Sequence, residues 1–108
     1  MTTFDDRKDA FEKRFAHDAQ QDFALEARMS KLYGLWAANE LGITDGAEAN
    51  LYAMSVVEAN LEEAGFDDIL RKVRADFDVK GLDISDHIMI AELENAMDEA
   101  QKQKAAES

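Results

Sequence analysis

The sequence predicts an all-α protein built from four helices and a separate N-terminal arm. The 108 residues contain no proline and only five glycines, so little in the chain opposes long helices. The apolar residues recur at spacings of three and four in four successive segments, which is the period of one face of an α-helix. A chain of this length forms one domain with a single core. We therefore expect a helical bundle.

The first two predicted helices are separated by Gly42, which we expect to end the first one. The apolar stripe of the first helix is Leu25, Met29, Leu32 and Trp36. The second helix begins after Asp45, and Glu48 follows three residues later in a pattern close to a capping box. Its predicted buried stripe is Met54, Val57, Leu61 and Ala64.

The third and fourth predicted helices lie on either side of Gly81. Asp67 and Asp68 are expected to cap the third helix, and Asp83 or Ser85 to begin the fourth. The apolar positions of the third helix are Ile69, Leu70, Val73 and Phe77. Those of the fourth are Ile90, Leu93 and Met97. The pattern is lost after about residue 101, where we expect the helix to fray.

The charge of the chain points to a protein partner. With 24 acidic and 12 basic residues the net charge is −12, which disfavours binding to nucleic acid or to anionic lipid. The chain has no cysteine, which suits a reducing compartment, and no apolar run of the roughly 20 residues that cross a bilayer. We expect a soluble, cytoplasmic protein.

The N-terminal arm, residues 1–18, differs from the rest of the chain. It carries five acids and four bases, a net charge of −1, whereas residues 19–108 carry nineteen acids and eight bases, a net charge of −11. Phe4, Phe11 and Phe15 are spaced by seven and four residues and would line one face of a helix. Those rings could join the core of the bundle, or they could pack against another protein. The sequence leaves both interpretations open.

No catalytic, cofactor or metal motif is found in the sequence, so we expect a protein that is not an enzyme and has no cofactor. The segment from Asp76 to Gly81 starts like a calcium-binding EF-hand loop, but Lys80 stands at the fifth position. The twelfth position is His87 instead of the bidentate glutamate. These two departures argue against a calcium site.

Four short segments carry a resemblance to a known family: Thr3–Arg7, Phe15–Asp18, Leu35–Ala38 and Asp68–Asp76. In order and spacing, residues 1–78 resemble the zeta subunit of alphaproteobacterial F-type ATP synthases. The resemblance implies a four-helix bundle with an N-terminal segment that is mobile when free. It also implies that this segment becomes helical inside the catalytic sector and blocks rotation and ATP hydrolysis.

On this resemblance, residues 1–18 are the inhibitory arm and residues 19–108 the acidic bundle. The expected partners are the alpha, beta and gamma subunits, and the bound protein would be peripheral to the inner membrane. The candidate partner-binding residues are Phe4, Arg7, Lys8, Phe11, Lys13, Arg14 and Phe15. Two other functions remain open: a nucleotide- or small-molecule-binding bundle with Tyr33 and Trp36 at its pocket, or a structural adaptor whose arm packs on its own core.

Overall fold

A computed structural model describes residues 10, 23–62 and 66–107, and within these residues the chain forms four α-helices and no strand. The helices are α1 (Phe23–Glu40), α2 (Gly46–Glu62), α3 (Asp67–Lys80) and α4 (Asp86–Glu107). The predicted all-α, four-helix fold is confirmed. Of the predicted arm, only Ala10 is described; it is helical and exposed, and the rest of residues 1–18 lies outside the described residues.

The core lies where the inner faces of the four helices meet. The predicted stripe of α4 is confirmed, because Ile90, Leu93 and Met97 are all fully buried. In α3 the predicted Ile69, Val73 and Phe77 are fully buried, and Leu70, predicted with them, is only partly buried. Helix α1 contributes Leu25, Met29, Tyr33 and Ala37, which are spaced four residues apart. Leu32 and Trp36, also predicted for that stripe, are only partly buried at its edge.

Helices α1 and α2 approach each other closely at Gly34. A Cβ atom on Gly34 would lie 2.7 Å from the Cα of Ala53, closer than packed atoms tolerate. This contact sets the rotation of α2, so the buried positions are Ala53, Val56 and Asn60. The stripe predicted for α2 is therefore wrong by one residue at Met54 and Val57, whereas the side chains of its other two members, Leu61 and Ala64, lie outside the described part of the chain. Met54, which we expected in the core, is 47% exposed, and Val57 is only partly buried.

The predicted ends of α1 and α3 are confirmed at Gly42 and Gly81. Both glycines have positive φ angles, 80° and 77°, which residues with a Cβ atom rarely adopt. After α1, the amide of Ile43 donates to the carbonyl of Ala38 at 2.9 Å. After α3, the amide of Leu82 donates to the carbonyl of Phe77 at 2.9 Å. These six-to-one hydrogen bonds are Schellman motifs, which satisfy the last carbonyl groups of each helix.

Two of the three predicted helix starts are confirmed. Asp45 Oδ2 accepts a 3.0 Å hydrogen bond from the amide of Glu48, and Ser85 Oγ accepts one of 3.2 Å from that of Ile88. The expected cap of α3 is wrong. Phe66 is the N-cap residue and no side chain caps the helix, because Asp67 and Asp68 already lie in the first turn. Their charges there still favour the positive end of the helix dipole.

Helix α4 extends through Glu107, beyond residue 101, where the apolar pattern ends. Ala100 is fully buried, and the guanidinium of Arg28 on α1 forms an ion pair of 2.8 Å with the carboxylate of Glu107. The last turn thus contacts α1 through an ion pair and not through an apolar stripe. That this turn frays in solution stays a prediction.

Candidate functional site

The seven predicted partner-binding residues all lie in the arm, outside the described residues. The structure therefore neither brings them together nor separates them. What it does describe is the surface of the bundle to which the arm is attached. Two features of that surface, one apolar and one polar, are candidates for contacts with other molecules.

The apolar feature is a groove of about 550 Å³ that runs over the outer face of α1, which we call the α1 groove. Its floor is formed by residues of α1: Ala27, Arg28, Lys31, Leu32 and Leu35. One wall is Met54 and Val57 of α2, and the other is Gln103 and Glu107 of α4. Leu51 of α2 is 72% exposed and lies one turn before Met54, so it continues the apolar wall. The groove can bind apolar side chains.

The groove reaches the N-terminal turns of α1, where Ala27 and Arg28 line it. At this end α1 is held on both sides: the amide nitrogen of Asn60 on α2 donates to Glu26 Oε1 at 2.7 Å, and Arg28 pairs with Glu107 of α4. Ser30 is fully buried and donates to the carbonyl of Glu26 at 2.9 Å. The first turns of α1 are therefore tied to both α2 and α4.

The polar feature links α2 to α3. The hydroxyl of Tyr52 donates to Asp76 Oδ2 at 2.7 Å, and Lys72 Nζ donates to the same oxygen at 3.0 Å. The Lys72 ammonium also lies 5.2 Å from the centre of the Tyr52 ring, within reach of a cation–π interaction. Burial, and then the hydrogen bond to Asp76, raise the pKa of Tyr52 above its usual value. The phenol stays protonated and the bridge stays intact at neutral pH.

Tyr33 lies in the core and Trp36 packs against its edge, and neither residue lines either surface feature. Tyr33 is fully buried, and its hydroxyl donates to the carbonyl of Met89 at 3.2 Å. Trp36 stacks on Tyr33 with ring centres 5.2 Å apart and meets Phe77 edge-on at 5.7 Å. These contacts give both aromatic residues a structural role, and this finding weakens the interpretation that they form a ligand pocket.

The residues of the suspected EF-hand start are part of a helix. Asp76 through Lys80 form the last turns of α3, and Asp76 is engaged with Tyr52 and Lys72. Within residues 10, 23–62 and 66–107, no three metal-binding side chains come together.

The family to which the chain belongs follows from its whole sequence. The family model described as ATPase inhibitor subunit zeta matches residues 1–103, which is almost the full length. The chain belongs to the ATPase inhibitor subunit zeta family. No curated protein matches the sequence.

Membership in the zeta family supports a regulatory, non-catalytic role as an inhibitor that binds the ATP synthase. It also agrees with the resemblance found in residues 1–78, and it adds most of the C-terminal helix, for which only a compatible apolar pattern was found. None of the described helices is long and apolar enough to span a bilayer.

Sequence reasoning missed the α1 groove as a candidate site, although a signal for it was present. Helix α2 carries apolar residues at positions 51, 53, 54, 56 and 57, more than one buried stripe needs. The small residues Gly34 and Ala53 mark the true line of contact with α1. The large residues Leu51 and Met54 then remain exposed on the other side, where Met54 lines the groove.

Proposed function

We propose that this zeta-family chain inhibits ATP hydrolysis by the F-type ATP synthase by inserting its N-terminal arm, residues 1–18, as a helix at a catalytic interface between alpha and beta subunits. The inserted arm blocks rotation of the gamma subunit. The observation that carries this proposal is the extent of the family match, which covers residues 1–103 and so includes the whole arm. The acidic bundle, residues 19–108, serves as the body from which the arm extends.

The charge distribution of the chain supports this division of roles. The arm has a net charge of −1 and the remainder one of −11. A nearly neutral helix with four cations enters a protein interface at lower electrostatic cost than a strongly acidic one. The bundle, with its excess of acids, remains outside the interface and in contact with solvent.

Two kinds of side chain in the arm have separate roles. Phe4, Phe11 and Phe15 share one helical face and act as apolar anchors, for which truncation typically costs about 2 kcal/mol or more of binding free energy. The basic residues orient the arm against acidic groups of the partner and raise the association rate more than the affinity. They are Arg7, Lys8, Lys13 and Arg14.

The start of α1, the first described helix after the arm, is tied to two other helices. Glu26 is tied to α2 through Asn60, and Arg28 is tied to α4 through Glu107. The bundle therefore remains a bulky, rigid body attached to the inserted helix. Such a body at the mouth of a rotary interface obstructs movement as well as anchoring the arm.

The proposal is tested by deleting residues 1–18 and measuring ATP hydrolysis by the F-type ATP synthase with increasing amounts of each protein. The full chain should inhibit and the truncated chain should not, while circular dichroism of the truncated chain shows the helical content of the bundle retained. Full inhibition by the truncated chain would contradict the role of the arm. Binding of the full chain without any inhibition would instead favour an adaptor.

A single substitution tests the phenylalanine anchors with the fold left intact. Phe11→Ala should raise the half-maximal inhibitory concentration by about thirtyfold, the equivalent of the 2 kcal/mol expected for an anchor. Val79→Ala is the matched control, because Val79 is 90% exposed on α3. Since the chain has no cysteine, a photocrosslinker placed on Thr3→Cys should label alpha and beta subunits. Labelling of other subunits alone would refute the proposed interface.

A further inference from the structure

We infer that the α1 groove binds an acidic amphipathic helix of the ATP synthase, at a second site outside the catalytic interface that takes the arm. This inference rests on the proposed function, because it takes the protein that holds the arm to be the protein that occupies the groove. It commits to one occupant: a partner helix that presents an apolar stripe flanked by carboxylates.

The groove carries apolar surface that the neighbouring helices do not cover. Leu32, Leu35 and Val57 are only partly buried, and Met54 is 47% exposed. Contiguous apolar surface of this kind usually marks a site of interaction. The groove volume of about 550 Å³ falls within the range that holds bulky apolar groups. Several apolar side chains of a partner can therefore be buried there.

The shape of the groove favours a helix as the occupant. Its floor runs along α1 from Ala27 to Leu35, about 12 Å at 1.5 Å per residue, between a wall from α2 and a wall from α4. A helix laid along α1 between these walls buries about two turns, with apolar side chains three or four residues apart. An extended segment would find no strand to pair with among residues 10, 23–62 and 66–107.

The floor of the groove is basic, although the body of the chain is strongly acidic. Residues 19–108 carry nineteen acids and eight bases, and two of those bases, Arg28 and Lys31, lie one turn apart on the floor. Glu107 lines the groove too, and its carboxylate is paired with Arg28. Lys31 is exposed, and no carboxylate of the described residues forms an ion pair with it. Its ammonium group is available to a ligand in the groove.

This local charge selects an acidic partner helix. The Debye length at physiological salt is about 8 Å, so a ligand in the groove interacts mainly with the charges around it and less with the net charge of the chain. A carboxylate on the flank of the docked helix is attracted by Lys31, whereas a basic flank meets a like charge. The apolar walls supply contact area, and Lys31 supplies orientation.

The groove lies close to the arm along the chain. Ala27 is nine residues after Asp18, the last residue of the arm, and nine residues span at most about 32 Å when fully extended. Whatever the conformation of the residues between them, a protein that holds the arm is therefore within reach of the groove. Two contacts joined by so short a connection act at an effective concentration on the order of millimolar, so even a weak groove contact strengthens attachment.

A peptide probe tests the chemistry of the groove in the absence of the enzyme. The probe is a short synthetic helix with a leucine stripe flanked by glutamates, added to the full chain with isotope-labelled methyl groups. The methyl signals of Leu35 and Met54 should shift, and those of Val79 and Ile88, which do not line the groove, should stay in place. Lys31→Glu should abolish the shifts. No shift at the groove, or equal shifts with a probe that has lysine flanks, overturns the inference.

Inhibition of ATP hydrolysis tests the groove in the complex with the ATP synthase. Lys31→Glu should raise the half-maximal inhibitory concentration of the full chain about tenfold, because it places a carboxylate against those of the partner helix. Lys31→Arg, which keeps the charge, should inhibit like the original chain.

The matched control for Lys31→Glu is Lys80→Glu. Lys80 is exposed at the end of α3 and does not line the groove, and its substitution changes the net charge by the same amount. It should leave inhibition unchanged. Equal weakening by the two variants would trace the effect to overall charge and overturn the inference.

Co-sedimentation with the ATP synthase separates failure of this inference from failure of the proposed function. If Lys31→Glu binds and inhibits like the original chain, the groove is refuted as a docking site while the inhibitory arm stands. If the full chain binds in a manner that depends on Lys31 but never inhibits, the proposed function fails and the groove contact stands.

Two further measurements test other occupants of the groove. Sedimentation velocity of the full chain should show a monomer, and self-association that Lys31→Glu abolishes would assign the groove to a second copy. Vesicles of anionic lipid should not bind the chain, and binding that the same substitution abolishes would assign the groove to a membrane surface. Either assignment overturns the inference.

Discussion

Helix α2 carries two apolar faces that meet different surroundings. The inner face contacts α1 through Ala53 and Val56, which are fully buried, whereas the outer face exposes Leu51 and Met54. The outer side chains are the larger and the more flexible. Burial here follows the fit between helices more than side-chain hydropathy, because only small side chains allow the backbones of α1 and α2 to approach at Gly34. The large side chains remain available for a contact outside the core.

The largest expected effect comes from placing a charge on each face in turn. Val56→Asp should destabilise the protein by about 4 kcal/mol, because it leaves an unpaired charge in the core. Met54→Asp, two residues away on the same helix, should change the free energy of unfolding by only about 0.5 kcal/mol. Urea denaturation measures both values. Similar losses for the two variants would show that the outer face is also part of the core.

The close approach of α1 and α2 provides the next test. Gly34→Val should destabilise the protein by about 2 kcal/mol, since its side chain would meet the backbone of Ala53 and the two helices must separate. The control is Gly46→Ala, where a Cβ atom would have nothing within 4 Å; there the higher helix propensity of alanine should leave stability equal or slightly greater. A neutral Gly34→Val would mean that another contact sets the rotation of α2.

These faces also explain how far the sequence alone could predict the fold. In α3 and α4 the apolar residues form one stripe, and the prediction from periodicity was correct for Ile69, Val73, Ile90 and Leu93. In α2 the apolar residues form two neighbouring stripes, so periodicity could not choose between them. The choice depends on a helix contact at Gly34, which a pattern within one helix does not contain.

The candidate site was predicted less completely than the fold. Composition and charge separated the arm from the body, and the resemblance assigned it a role, but its seven residues lie outside the described residues. The α1 groove depends on three helices and on the Arg28–Glu107 pair, whose members are 79 residues apart. No local pattern links positions so distant in sequence, so this part of the surface emerges only from the packed structure.

A pH titration tests how firmly the inner face of α1 is buried. Burial raises the pKa of Tyr33, on the inner face, above the unfolded value of 10.0. Unfolding therefore releases a proton at high pH: the stability contributed by the neutral phenol is complete below pH 10.0 and decreases as the pH rises above it.

Above pH 10.0, ionisation of Tyr33 on unfolding should lower the free energy of unfolding by up to about 1.4 kcal/mol for each pH unit. Tyr33→Phe should remove this part of the slope, although it also loses the hydrogen bond to the Met89 carbonyl. Urea denaturation between pH 9 and 11 measures the difference in slope. Parallel curves for the two proteins would show that Tyr33 is not buried as a neutral phenol.

The smallest expected effect concerns the C-terminal wall of the groove. Glu107→Gln weakens the ion pair with Arg28, and because both groups reach solvent we expect little change in the global unfolding midpoint. The change should be local. Amide exchange should accelerate in the last turn of α4, while the amides of residues 89–97, which include the buried Ile90, Leu93 and Met97, keep their protection.

The pH dependence of this last turn has a defined sign. The hydrogen bond from Arg28 holds the pKa of Glu107 below its usual value, so the charged form persists as the pH falls and is lost only when the pH passes through that lowered pKa. Exchange in the last turn of the original chain should therefore become as fast as in Glu107→Gln at low pH, after correction for the intrinsic rate. If the two already agree at neutral pH, the pair does not hold α4 against α1, and the α1 groove has only one firm wall.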